Sequence, residues 1–445
     1  MKPTPDASPA AATYRRYVLA VLTVVYVFNF IDRQILVILQ ESIKAEMGLS
    51  DAQIGVLSGF VFAMFYVSLG IPIARWADVG NRRNIIAIAI SVWSGMTALA
   101  GLAQNYTQLL LARIGVGIGE AGCSPPAHSM ISDYYPAEQR GTAISIYSAG
   151  IGIGIAFGFL FGGWINEFFG WRVAFLLVGA PGLLIGLLLF LTVREPEREA
   201  GQLVQSPDQP GFADTLYTLW SLRSFRYYSI GMGLMAFVAY GVGNFLPSFL
   251  MRSHGMSSGA TGTTMALVAG LGNSVSVFIA GYLADRLGRS DKRWYLWIAG
   301  IPGLLAVPFL LACLYVEDVR LSIAWMLAHV LMISASLGPV IAISHSLVPQ
   351  NMRAMTSAIL FLVLNLVGLG AGPVAVGLIS DALNASLGQE ALRYALAIVS
   401  LSGILAAILF LFSSRFLLAD LSREQAVYRF RQKAADPAGR KRVPD

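Results

Sequence analysis

Cysteine is nearly missing from this 445-residue chain, with Cys123 and Cys313 its only two thiols. Both sit inside apolar runs, which excludes a disulfide framework and a cysteine-based metal cluster. Charge is scarce too. Asp, Glu, Lys and Arg make up 13% of the residues, against about 25% in soluble domains. Together with 56% hydrophobic residues and a mean hydropathy of +0.65, that shortage excludes a water-soluble globular protein. No nucleotide-binding loop and no nucleophile–base pair stands out, so neither an ATP-driven pump nor a membrane hydrolase is expected, and no cofactor. A large soluble signalling domain, which a membrane receptor would favour, is also missing. His329 and His345, sixteen residues apart, lack the spacing of a metal site.

What the chain has instead is long apolar runs. Runs of about twenty residues, enough to cross about 30 Å of hydrocarbon, recur from end to end. They centre on 17–40, 51–74, 84–103, 107–131, 141–165, 173–193, 226–250, 260–283, 294–315, 321–347, 355–380 and 391–413. The expected fold is an all-α polytopic membrane protein, and the expected location an integral multi-pass position, in the plasma (inner) membrane if bacterial. The polar stretch REPEREAGQLVQSPDQPGFAD divides the runs into two halves. The expected organisation is an N-terminal segment 1–16, a six-helix bundle 17–193, a linker 194–225, a second six-helix bundle 226–413 and a basic tail 414–445. The first apolar run is too long for the h-region of a cleavable signal peptide.

Most of the 31 Lys and Arg fall on alternate loops and at both termini, while the intervening loops hold only Lys44, Arg172, Arg252, Arg320 and Arg393. By the positive-inside rule both termini are cytoplasmic. The net charge of +6 is thereby an orientation signal, with some attraction of the tail to membrane lipid, and nucleic acid is not an expected partner.

The halves repeat one another. ARWADVGNRR (74–83) has its counterpart in GYLADRLGRS (281–290), and DYYPAEQRGT in LVPQNMRAMT, with Pro136 and Arg140 matching Pro349 and Arg353. WRVAFLLVG (171–179) likewise matches LRYALAIVS (392–400). Such internal repeats are a common plan of secondary transporters, with the substrate site near the midplane between them.

The duplicated loop resembles the G-x-L-A-D-R-x-G-R-R signature of the major facilitator superfamily. The second copy matches almost throughout; the first keeps Asp78, Arg82 and Arg83 but has Ala74, Val79 and Asn81 at other signature positions. NFIDRQ (29–34), RIGVGIGEAGCSPPA (113–127) and the ISDYYPAEQRGTA loop are similar to the spinster-like branch. The resemblance implies twelve helices in two pseudo-symmetric bundles, and lysophospholipid or sphingoid-phosphate transport among the family's activities. It also implies that cytoplasmic charge pairs (Asp78 with Arg82 and Arg83, Asp285 with Arg286 and Arg289, joined by Arg140) gate the transporter by stabilising its outward-open state.

Independently of the resemblance, Asp32, Arg33, Arg113 and Glu120 are ionisable residues deep in apolar runs. Each costs about 2.5–3.5 kcal/mol at a helix centre on insertion scales, so such residues pair within the protein or face a wet cavity. Arg113 and Glu120 are seven apart and share a helix face. Asn29 lies one turn from Asp32. The functional reading makes Asp32 and Glu120 proton-coupling acids. Arg33, Asn29 and Arg113 contact substrate, Arg33 offering a planar fork to an anionic head group. The plainer reading is a permanent acid–Arg lock that only fixes packing. Tyr240, Asn244, His329 and Asn365 are further candidate contacts. Phe237, Phe245, Trp325, Met326, Met332 and Phe361 would make an apolar wall opposite the charges. One charged and one greasy wall suit an amphiphile. The expected activity is therefore proton-coupled alternating-access transport of a lipid-like amphiphile by a monomer. A sugar-acid or small organic-anion symporter and an amphipathic drug exporter stand as alternatives, and a non-transporting receptor is the weakest.

Overall fold

Side-chain caps, glycines and prolines set the helix ends. The computed structural model describes residues 9–196 and 211–435; the first polar residues, the middle of the expected linker and the end of the tail lie outside them. Helix α1 (Pro9–Met47) runs 39 residues and stops where Gly48 takes φ 65°. Helix α2 (Asp51–Val79) starts on a capping box: Gln53 N–H donates to Ser50 Oγ at 3.2 Å, and Ser50 N–H to Gln53 Oε1 at 2.9 Å. Helix α3 (Arg82–Ala100) is capped by Asn81 and α4 (Tyr106–Glu120) by Asn105.

The fourth expected run is not one helix. It breaks at 121–123 and resumes as α5 (Ser124–Tyr134), with proline in its first turn. Pro125 and Pro126 carry no N–H, so an unbroken ladder is impossible there. Helices α6 (Ala137–Phe169) and α7 (Trp171–Thr192) complete the first half. A short helix, α8 (Phe212–Ser221), lies inside the stretch expected to be linker. The second half holds α9 (Arg223–His254), α10 (Ser258–Leu287), α11 (Trp294–Tyr315), α12 (Val319–Ser346), α13 (353–387) and α14 (Ala391–Ala435). The tail expected to begin at 414 is a direct continuation of α14.

Ten helical stretches among the described residues are long and apolar enough to cross a membrane. One of them, Gln350–Ser422, contains both α13 and most of α14, joined through the short turn Gly388–Glu390. The α4–α5 stretch falls below that criterion because of its break.

Glycines set how closely the helices pack. Gly150, Gly154 and Gly158 face α1, and a Cβ on Gly154 would lie 2.5 Å from the Val27 carbonyl oxygen. The every-fourth spacing is thus a packing stripe. Contacts between the halves run α1–α9, α2–α13 and α6–α10. Helices α2, α10 and α13 each contain a π-helical segment (Val56–Phe60, Ala266–Gly272 and Leu364–Ala371). All three lie on helices of these inter-half contacts.

Candidate functional site

Helices α1 and α4 bring the four ionisable residues together. Arg33 Nε donates to Glu120 Oε2 at 2.6 Å. Glu120 is fully buried and the Arg33 side chain is 18% exposed, so the pair sits at the edge of the bundle interior. The guanidinium lies among three aromatic rings, with Cζ 5.0 Å from the centroid of Phe30, 4.9 Å from Phe62 and 4.9 Å from Tyr66. Such faces attract a cation at this range, so Arg33 keeps an electrostatic partner besides Glu120.

Asp32 is fully buried behind the pair, and neither of its carboxylate oxygens has a hydrogen-bond partner. Trp93, Thr97, Arg113 and Glu120 surround it. Arg113 is also buried, with Nε and Nη1 unpartnered and Cζ 5.6 Å from the Phe62 ring. Asn29 faces Glu120, but its amide nitrogen makes no hydrogen bond. Close helix approach makes the arrangement possible: Gly117 packs on Phe62 of α2, and Gly119 on the backbone of Trp93 in α3.

The second half contributes less than expected. Tyr240 on α9 stands near Arg33 and Tyr66. Asn365 is half-buried in the π-helical segment of α13 and donates to the Phe361 carbonyl at 2.8 Å. Asn244 is instead part of a link between the halves, its carbonyl accepting from Gln40 Nε2 at 2.9 Å. His329 turns away from the charged cluster: it is buried with Nδ1 2.8 Å from the Ala306 carbonyl of α11. Its own half satisfies it. Of the expected apolar wall, Phe245 and Met326 are fully buried core residues and Trp325 stacks on Phe309, while Phe361 is exposed.

Arg82, Arg83, Arg140, Asp285 and Arg286 of the duplicated loops bond within their own halves. Arg82 is buried and donates to Glu195 at 2.7 Å, Asp133 at 2.5 Å and Ser129 at 2.8 Å. Arg83 donates through its side chain to Asn84 and through its backbone to Glu195. Arg140 donates to the Tyr135 carbonyl at 3.0 Å. Asp285 accepts from Tyr295 at 3.0 Å and Arg286 donates to Tyr282 at 3.3 Å. Asp78 and Arg289 are exposed.

A second charged cluster, unanticipated from the sequence, joins the halves at the opposite end of the helices. Arg252 of α9 donates to both oxygens of Glu41 (2.8 and 2.7 Å) and both oxygens of Asp51 (2.8 and 2.7 Å). Lys44 pairs with Asp51 as well. From α13, Ser380 donates to Asp51 at 2.6 Å, and the Asp381 carboxylate accepts the N–H groups of Asp51 and Ala52, each at 2.9 Å. Asp381 thereby caps a helix of the other half. Glu167 accepts from Gly259 N–H at 2.6 Å across the α6–α10 contact. The one sequence signal for this cluster is that Lys44 and Arg252 are among the few cations on their side of the chain, a pattern that by itself speaks only of topology.

Two bundles of helices with a charged centre and one stitched end define a transporter of the two-half helical class. The profile of the Major Facilitator Superfamily matches residues 22–373. An MFS-type efflux pump of Mycolicibacterium smegmatis is 35% identical, with 84% of this chain and 87% of that protein covered. Human protein spinster homolog 1 is 27% identical over 92% of this chain and 82% of its own. The crystal structure of a bacterial homolog to the human lysosomal transporter Spinster, in an inward-facing and unoccupied conformation, superposes with a TM-score of 0.85 at 33% identity, covering 92% and 98%. The chain belongs to the major facilitator superfamily, as a spinster-like member, and is an integral multi-pass membrane protein.

Proposed function

We propose that this protein is a proton-coupled secondary transporter of twelve spans, with both termini cytoplasmic, that moves an amphipathic lipid-like substrate by alternating access. The observation that carries the proposal is the Arg33–Glu120 ion pair at the edge of a buried cluster, with Asp32 behind it. A buried pair of opposite charges is stable only while both are charged; removing one partner costs about 3–5 kcal/mol. Protonation of Glu120 therefore releases Arg33. Its fork then meets the phosphate or carboxylate of an amphiphile, and Phe30, Phe62, Tyr66 and Tyr240 take the apolar part. Asp32 is the second proton acceptor. Asn29 and Arg113 set the balance between the acids.

The Arg252 network on the outer side supports assigning this arrangement to an inward-open state, in keeping with the inward-facing relative. The duplicated-loop charges, bonded within their halves, then exchange partners across the halves when the inner side closes.

The efflux-pump relative favours a second reading, export of amphipathic drugs through the same cleft. Reconstitution in liposomes with an imposed pH gradient tests both, with a fluorescent lysophospholipid and a lipophilic cationic dye as cargo. Gradient-driven movement of the lipid, reduced at least tenfold in Asp32→Asn or Glu120→Gln, is expected. Movement of the dye alone would replace the substrate assignment, and undiminished coupling in both variants would sink the proton assignment.

A further inference from the structure

We propose that Trp93 and Thr97 are positioning residues that hold the Asp32 carboxyl in both of its protonation states and make the site one for a proton and not for a metal cation. This rests on the reading of Asp32 as a proton carrier.

Asp32, Trp93 and Thr97 are all at most 1% exposed. Both Asp32 oxygens, the Trp93 Nε1 and the Thr97 Oγ1 lack hydrogen-bond partners, yet Trp93 and Thr97 face the carboxyl. Buried polar groups are costly unless they bond, and for these four atoms the partners at hand are one another. Trp93 and Thr97 are one helical turn apart and share a face of α3. Gly119 fixes where that face sits: a Cβ there would lie 2.6 Å from the Trp93 backbone nitrogen, so α3 and α4 meet at this level.

The two side chains differ in a useful way. Indole N–H can only donate, whereas a hydroxyl can donate or accept. With Asp32 ionised, both donate to it. With Asp32 protonated, the acid O–H donates to Thr97 Oγ1 while Trp93 still donates to the carbonyl oxygen. In either state the Asp32 carboxyl keeps two partners. A bound metal ion would need several acceptor ligands, and the described residues hold no cluster of three His, Cys, Asp or Glu to supply them, while the indole N–H and the Arg113 guanidinium beside Asp32 are donors alone. The charged groups facing Asp32 are Arg113 and Glu120 of α4. Arg33, on its own helix, is turned to Glu120. Helix α7 carries Arg172 alone, near its first residue, and α6 presents Tyr147 to Tyr26.

The test follows the infrared carbonyl band of a protonated carboxyl with pH, in the full-length protein reconstituted in lipid. The band assigned to Asp32 is the one lost in Asp32→Asn. Trp93→Phe and Thr97→Val each remove a donor to the ionised form, so the proton is kept to higher pH. Each is expected to raise the band's midpoint by about one unit, the scale of a hydrogen bond to a charged group. Thr97→Ser keeps the hydroxyl and is expected at the wild-type midpoint, and exchanging Na+ for K+ should move nothing. Midpoints unchanged in Trp93→Phe and Thr97→Val would overturn the positioning role while leaving Asp32 as the proton carrier. A midpoint that depends on Na+ would overturn the exclusion of metal. If Asp32→Asn removes no titrating band, both this inference and the reading of Asp32 as a proton carrier are overturned; a band that remains in that variant belongs to Glu120.

Discussion

Glu120 has a single charged hydrogen-bond partner, and that makes the site asymmetric to substitution. Glu120→Gln keeps shape but leaves the Arg33 guanidinium without its counter-charge, at a cost of about 3–5 kcal/mol. The double variant Glu120→Gln/Arg33→Gln removes both charges and should recover most of that loss. Thermal unfolding of the purified protein checks this, with the single variant melting well below both the double variant and the wild type. Equal melting of single and double variants would mean that the three rings around Arg33, and not Glu120, carry its charge. These residues were legible in the sequence because ionised side chains in apolar runs stand out. The rings were not, since Phe30, Phe62 and Tyr66 look like any span residues until the fold brings them around one guanidinium. Trp93 and Thr97 were hidden for the same reason.

At the scale of the helix, α6 shows that glycine spacing alone says little about how each glycine is used. Gly154 lies against the Val27 carbonyl, so Gly154→Val drives side-chain atoms into the backbone of α1 and should prevent assembly of the first half. Gly141, near the start of the same helix, has open space where a side chain would begin, with nothing within 4 Å of a Cβ placed there. Gly141→Ala should therefore stabilise by about 0.4–1 kcal/mol through the unfolded chain. Monodispersity after detergent extraction and the melting temperature read the two effects, and a well-behaved Gly154→Val protein would refute the close approach. The break between α4 and α5 is foreseeable from Pro125 and Pro126, but the apolar run around them masks it. The three π-helical segments have no such sign in the sequence, because they depend on how α2, α10 and α13 meet the other half.

Across the whole molecule, α1 ties the proposed proton site to the Arg252 network. Glu41 follows Arg33 by eight residues, about 12 Å along the helix axis. Any shift of α1 that follows release of Arg33 is therefore felt at Glu41 and Arg252. The network itself could not be read from the sequence: Asp51 and Asp381 are 330 residues apart, and each looks like an ordinary charge at a helix end. Arg252 neutralises Glu41 and Asp51 at once, so Arg252→Gln leaves those carboxylates beside each other with only Lys44 against them. Complete reversal of a two-state equilibrium, from 99:1 to 1:99, takes about 5.5 kcal/mol, and loss of a part-buried charge partner is of the same order. The variant should thus populate an outward-open state that the wild type hardly visits. Spin labels at Leu102→Cys and Ala385→Cys, both exposed in opposite halves, would report it, with the native cysteines replaced by alanine. A second, longer distance is expected in Arg252→Gln and a single short one in the parent. If the folded variant keeps the short distance alone, Asp381 capping α2 and Glu167 bonding Gly259 are enough to hold the outer end closed, and the control of access passes from Arg252 to those backbone contacts.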